Sequence, residues 1–311
     1  MIRRALLLWA LAVTAAATAQ GPPSQATRPE ARALFVFNQS LYFGSFSRPR
    51  ALAYDREHHE LWVADAGARR IGVHRPDGTE LYSFSSTERL QDPVRLAVAP
   101  GGGIAVVEGS RRQVRLFDYR GDDRGEVKLA ELGEHPVIGA IAYDARGQLY
   151  VADNHSGQIF VYQAGGKLKF QFGSQGSDDG QFLAICAIAI GDDGKIYVAD
   201  QRALAAQVFD EQGNFLRGWG KHEMGAQNFS LPSGIAVDSR GRIIMTDELR
   251  HQVKVFSGDG KLLTVFGGTG DELGQLAYPT DVAVDENGRI YVAERITARV
   301  QVFELYDVAA Q

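Results

Sequence analysis

The sequence predicts an all-β fold, a six-bladed β-propeller of four-stranded antiparallel blades, and three observations carry that prediction. The first is a recurring segment: residues 61–65 (LWVAD), 149–153 (LYVAD), 196–200 (IYVAD), 244–247 (IMTD) and 290–294 (IYVAE), with 104–108 (IAVVE) as a degenerate copy. Its closing acids Asp65, Glu108, Asp153, Asp200, Asp247 and Glu294 keep a near-constant period, in the range where repeats build propellers or solenoids. The second is local: short β-branched and aromatic runs alternate with Gly-rich turns, and no long segment shows a period of 3.6. The third is a deficit. The sixth unit stops after its third strand, while a strand-like stretch, 34–46, precedes the first unit. An N-terminal strand completing the last blade would seal the ring and remove its exposed edges.

Each unit offers four strands. The first centres on 52–54, 96–98, 141–143, 188–190, 235–237 and 282–284, and its middle residue is always alanine: Ala53, Ala97, Ala142, Ala189, Ala236 and Ala283. Innermost strands converge in a radial array, so a small side chain is required where the taper is tightest. The second strand is the segment that ends on the acid. The third ends nine residues later, at His74, Phe117, Tyr162, Phe209, Phe256 and Phe303. The fourth is placed at 81–84, 128–132, 168–172, 215–219 and 262–266, after two-residue turns such as Asp77–Gly78 and Asp259–Gly260.

Ahead of the ring, residues 1–19 read as a secretory signal peptide: Arg3 and Arg4, an apolar run over 5–13, and a small-residue exit at Ala17 and Ala19. That run is shorter than the roughly 20 residues a membrane-spanning helix needs. Residues 20–32 read as a flexible linker and 33–311 as the propeller. The expected location is outside the cytoplasm, periplasmic or extracellular. The chain has 33 Lys and Arg against 38 Asp and Glu, an acidic balance that argues against a nucleic-acid partner. Cys186 is the single cysteine, which excludes an internal disulfide and a CxxCH haem attachment.

At this point the residues match a family. Segments 232–238 (PSGIAVD), 241–247, 252–256 (QVKVF) and 266–274 (FGGTGDELG) resemble an NHL repeat, and 279–303 does so again. All six units, about 48–304, fit with varying fidelity, the first two keeping only the outline. The resemblance implies the propeller fold. For function it implies an interaction platform for protein or RNA, or, in a few members, a lyase or hydrolase domain.

In a four-stranded blade, the second-to-third turns and the interblade connections share one face, where propeller ligands usually meet the disc. On it fall the six closing acids, whose repetition in every blade favours Asx-type turn stabilisation over a cation site. Arginines crowd the same loops, and guanidinium forks bind carboxylate or phosphate bidentately. The candidate binding residues are Arg69, Arg70, Arg112, His155, Arg202, Arg250, His251 and Arg295. His135 and His222 fall in interblade loops, but the histidines share no metal-ligating spacing, so no metal and no cofactor is expected. No GxSxG elbow, Walker loop or EF-hand spacing occurs. The expectation is a non-enzymatic binding propeller for a protein or peptide partner, as a monomer or a subunit of a hetero-complex. The alternative is a metal-dependent lyase or lactone/ester hydrolase working in the axial funnel.

Overall fold

A computed structural model describes residues 27–40, 44–85, 90–110, 112–221 and 223–309. The expected signal peptide, residues 20–26 of the expected linker, Arg111 and His222 lie outside the described residues. Six four-stranded antiparallel sheets stand around one axis. Blade 1 comprises Pro49–Asp55, Glu60–Asp65, Arg70–His74 and Glu80–Ser85. Blade 2 comprises Pro93–Val98, Ile104–Glu108, Val114–Phe117 and Asp123–Glu126. Blade 3 runs through Ile138–Tyr143, Leu149–Asp153, Gln158–Tyr162 and Leu168–Phe172. Blade 4 holds Ile185–Ile190, Ile196–Asp200, Ala206–Phe209 and Phe215–Trp219. Blade 5 holds Pro232–Val237, Ile243–Asp247, Gln252–Phe256 and Leu262–Gly267.

Blade 6 is composite. Its inner strands are Pro279–Val284, Arg289–Glu294 and Arg299–Ala309, and its outer strand is Thr27–Phe37 from the N-terminal side. The two long strands pair antiparallel, Thr27 opposite Ala309 and Phe37 opposite Val300, with a bulge between Ala33 and Phe35. Closure by an N-terminal strand is therefore as the sequence implied, but the strand begins earlier than residue 34. Residues 27–32, read as flexible linker, are strand because the third strand of blade 6 continues past Phe303 and offers them a partner. Of the expected 34–46 stretch, Tyr42 and Phe43 lie outside the described residues, and Gly44–Ser45 pairs with Gln39–Ser40.

Blade 2 departs from expectation too. Its outer strand is the polar Asp123–Glu126, not 128–132, which holds a single 3-10 turn, Ala130–Leu132. Leu132 is buried and packs, with Val127 and Leu129, on the seam toward blade 3. An apolar run here marks an interblade contact rather than a strand.

The core is divided among the seams. Buried apolar clusters fill six interfaces: blades 1 with 2, 2 with 3, 3 with 4, 4 with 5, 5 with 6, and 6 with 1. Because the last seam is packed like the others, no sheet face is left over. A repeated outer contact marks the same closure. The turn glycines Gly121, Gly213 and Gly260 adopt φ of +85°, +84° and +88°, and an added Cβ would meet Phe84, Phe172 and Trp219 of the preceding blade. Gly78 of blade 1 is covered in the same way by Phe37 of the N-terminal strand.

Candidate functional site

The six closing acids tie the loop face together. Asp65 accepts the backbone N–H groups of Ser47 and Arg48, at 3.0 and 2.7 Å, from the connection that precedes its blade. Glu108 does so with Gln91 and Asp92, Asp153 with Val137, Asp200 with Leu183 and Ala184, Asp247 with Ser230 and Leu231, and Glu294 with Ala277. Four of them also accept backbone N–H groups from their own following turn, those of Ala68, His155 and Ser156, Arg202 and Ala203, and Arg250. The repeated carboxylate thus joins each second-to-third turn to the interblade loop before it. This is the Asx-type role, extended by a second set of donors.

The long interblade loops are anchored from below. Phe182, Phe229 and Leu276 are fully buried beneath them. Buried polar side chains reach up from the third strands: Gln207 accepts Gly180 N–H and donates to Gln181 O, while Gln301 donates to Gln275 O. Lys254 donates to Asn228 O and lies 4.3 Å from the Phe229 ring centroid.

Several predicted binding residues belong to this scaffold. Arg70 is 1% exposed, bonds Asp65 and Gly44 O, and is not a surface group. Arg250 donates to Gly225 O, Asn228 O, Glu223 O and Ser230 Oγ, holding the loop before blade 5 in shape. His251 Nδ1 accepts Tyr278 N–H at 3.2 Å, and its ring packs edge-on against Tyr278. A chain position on the loop face does not make a side chain available when a long interblade loop folds over it. Arg69, Arg112, His155 and Arg202 are exposed on that face, spread over blades 1 to 4. Of the eight candidates, Arg295 alone lines the axial cavity.

That cavity holds about 380 Å³ and opens on the loop face, lined by residues of all six blades including Arg50, Arg95, Gln201, Leu231, Leu249 and Arg295. Two repeat positions supply most of its wall. One is the residue after the closing acid: Asn154, Gln201, Glu248 and Arg295. The other follows the residue that opens the innermost strand: Arg50, Cys186, Ser233 and Thr280. Arg295 pairs with Glu248 at 2.8 Å and lies over the Tyr278 ring. Arg95 donates through Nε to Gly139 O and through Nη1 to Val94 O, both at 2.8 Å. The Arg50 side chain makes no hydrogen bond or ion pair with any described residue. Burial lowers its proton affinity, and the nearby Arg95 and Arg48 charges add to the shift. Deeper along the axis, Asp281 accepts the N–H groups of Leu52 and Val282 at 2.9 Å, and burial pushes its carboxyl up to about 6. Cys186 is buried, donates to Ala199 O and Pro232 O, and burial pushes its thiol up to about 12, which leaves it a small core residue. On the opposite face, Arg56 of blade 1 and Asp192 of blade 4 pair across the axis.

Arg50, Arg95 and Glu248 were not among the sequence candidates. The signal that locates them is the repeat register itself. Glu248 follows a closing acid and Arg50 follows the residue opposite one, at positions whose equivalents in several other blades also line the cavity, whereas Arg95 stands one residue further along its innermost strand.

An NHL repeat model matches residues 229–256 and 276–303, which lie in blades 5 and 6 and the loops before them. The chain is a six-bladed β-propeller whose fifth and sixth blades carry NHL repeats. No curated protein matches this chain in sequence. Among solved structures it is similar to a streptogramin B lyase, at 14% identity and a TM-score of 0.65, covering 90% of this chain and 98% of that one. It is also similar to a gluconolactonase from Xanthomonas campestris, at 17% identity and a TM-score of 0.63 over 84% of this chain and 87% of that one. A virginiamycin B lyase from Staphylococcus aureus gives 13% identity and a TM-score of 0.60 over 90% and 100% of the two chains. Identities this low establish a shared fold and nothing finer.

Proposed function

We propose that this chain is an exported binding propeller that docks a protein or peptide partner on its loop face, with the axial funnel at the centre. The observation that carries the reading is the distribution of exposed apolar side chains. Val137, Met224, Leu249, Leu273 and Ile296 all lie on loops of that face. Among the described residues, no large exposed apolar side chain falls on the turns of the opposite face. One-sided apolar exposure, rimmed by Arg69, Arg112, His155 and Arg202, is the pattern of an interaction surface rather than of scattered single residues. Site-specific photo-cross-linkers at Leu249 and Ile296 test this in extract of the source cells. The same protein should be recovered from both positions and not from Gln163 on the opposite face. Equal background from all three would refute the reading.

The second reading is a metal-dependent lyase or lactone/ester hydrolase in the funnel, favoured by the lyases and gluconolactonase that share the fold. The funnel residues fit a cation poorly. Glu248 is paired with Arg295, and Arg50 and Arg95 bring positive charge to the same space. Among the described residues, no three His, Cys, Asp or Glu side chains converge. A stoichiometric ion in the purified protein, with lactone hydrolysis that depends on it, would transfer the assignment to this reading.

A further inference from the structure

We propose that the axial funnel captures the C-terminal carboxylate of a polypeptide whose last residue is apolar, with Arg50 and Arg95 as the anion-binding pair. The inference rests on reading the loop face as a docking surface and names what the centre of that surface recognises. Charge comes first. Three arginines and one carboxylate line the cavity, and the Arg295–Glu248 pair neutralises one of each. Arg95 is held by two neutral carbonyls and Arg50 by no described residue, so both charges remain uncompensated by direct contact. Asp281, deeper on blade 6, acts on Arg95, while Asp92 and Glu248 act on Arg50 only at longer range, each already paired with another arginine. Enclosed guanidinium groups without a counter-charge are costly, and a carboxylate between two of them restores both. Their planar forks match its two oxygens.

Shape narrows the source of the carboxylate. A cavity of about 380 Å³ is at the small end of ligand pockets, enough for a chain end and too small for a folded surface. The Arg56–Asp192 pair spans the axis on the far face, so a chain entering from the loops meets a dead end rather than a passage. Leu231 and Leu249 form an apolar wall beside the arginines. A terminal apolar residue presents a carboxylate and an apolar side chain from one Cα, which suits a site that is basic on one side and apolar on the other.

The test uses the full mature chain, immobilised, and a tetrapeptide library with free C-terminal carboxylates beside the same library amidated at the C-terminus. Free-acid members ending in Leu, Ile, Val or Phe should be retained and their amides should pass through. Arg50→Gln removes a side chain with no internal bonds and an enclosed charge, so its melting temperature should match or exceed the parent's while retention weakens about tenfold or more. Equal retention of acids and amides, or no retention of either, overturns the proposal. Retention of amidated members through internal Asp or Glu also overturns it, since the source would then be a side chain. The photo-cross-linkers at Leu249 and Ile296 report the docking reading separately. A face that captures a protein while the funnel ignores carboxyl termini sinks this proposal alone.

Discussion

Lys254 and Asp247, both fully buried, meet at 3.2 Å beneath the loop that joins blades 4 and 5. Asp247 also accepts Ser230 and Leu231 N–H, and Lys254 donates to Asn228 O, so one buried pair fixes three residues of that loop. Removing one partner of such a pair strands the other charge. Asp247→Ala should therefore cost about 3–5 kcal/mol in denaturant unfolding. It should also raise amide exchange over residues 228–231 ahead of the rest of the ring. Exchange that rises uniformly, with a cost under about 1 kcal/mol, would show that the pair does not anchor the loop.

Ala236 occupies the centre of the innermost strand of blade 5 and is packed against Ile244, Val282 and Val284 at the seam with blade 6. Ala236→Leu adds three carbons where two blades already touch. Overpacking of this kind costs about 1–3 kcal/mol. A thermal melt unchanged from the parent would contradict the placement of the alanine ring.

The repeat made most of this architecture legible. An acid recurring at a fixed interval placed every second strand, and six aligned alanines placed the innermost ones. Two features resisted for physical reasons. The outer strand of blade 2, DRGE, has no apolar alternation because it is an exposed edge, while the neighbouring Leu129 and Leu132 pack irregularly on blade 3. The funnel pair was hidden differently. Arg50 and Arg95 stand in innermost strands, and they share a cavity with Arg295 only once the ring has closed. Conversely, Arg250 and His251 carried the right chemistry in the right turn, yet the long loops that cover them take up their hydrogen bonds.

Closure gives the next prediction. Strand Thr27–Phe37 covers the edge of Arg299–Ala309, and Arg32 pairs with Glu304 across it. A chain starting at residue 38 would leave the outer edge of that third strand unpaired, with Phe37 no longer packed over Gly78. An uncovered edge of this length is a template for association. The shortened chain should elute as oligomer or aggregate in size-exclusion chromatography. The same chain supplied with a synthetic 27–37 peptide should regain a monomer-sized peak. A monomeric, fully stable shortened chain would refute the role of the strand as the ring's seal.

His74 and Asp281 should bend the pH dependence of stability in opposite directions over nearly the same range. His74 is fully buried between the Phe37 and Phe46 rings, facing Glu80 and Arg70, and burial pushes it down to about 4. Below its unfolded value of about 6.5 the unfolded chain binds the extra proton, so this residue makes stability rise with pH from about 4 to 6.5. Asp281 faces Arg95 and the Leu52 and Val282 amides, and its carboxyl sits at about 6 against an unfolded value of 3.8. There the folded chain holds the extra proton, and stability falls as pH rises from about 4 to 6. The two slopes largely cancel in the parent protein. His74→Phe should then fall in stability, relative to the parent, as pH climbs through this range, being relatively most stable near pH 4. Asp281→Asn should show the reverse trend. Differences in unfolding free energy measured at half-unit steps from pH 4 to 7 decide the matter, because all other titrating groups are common to parent and variant. Parallel curves for either variant would remove that residue from the account.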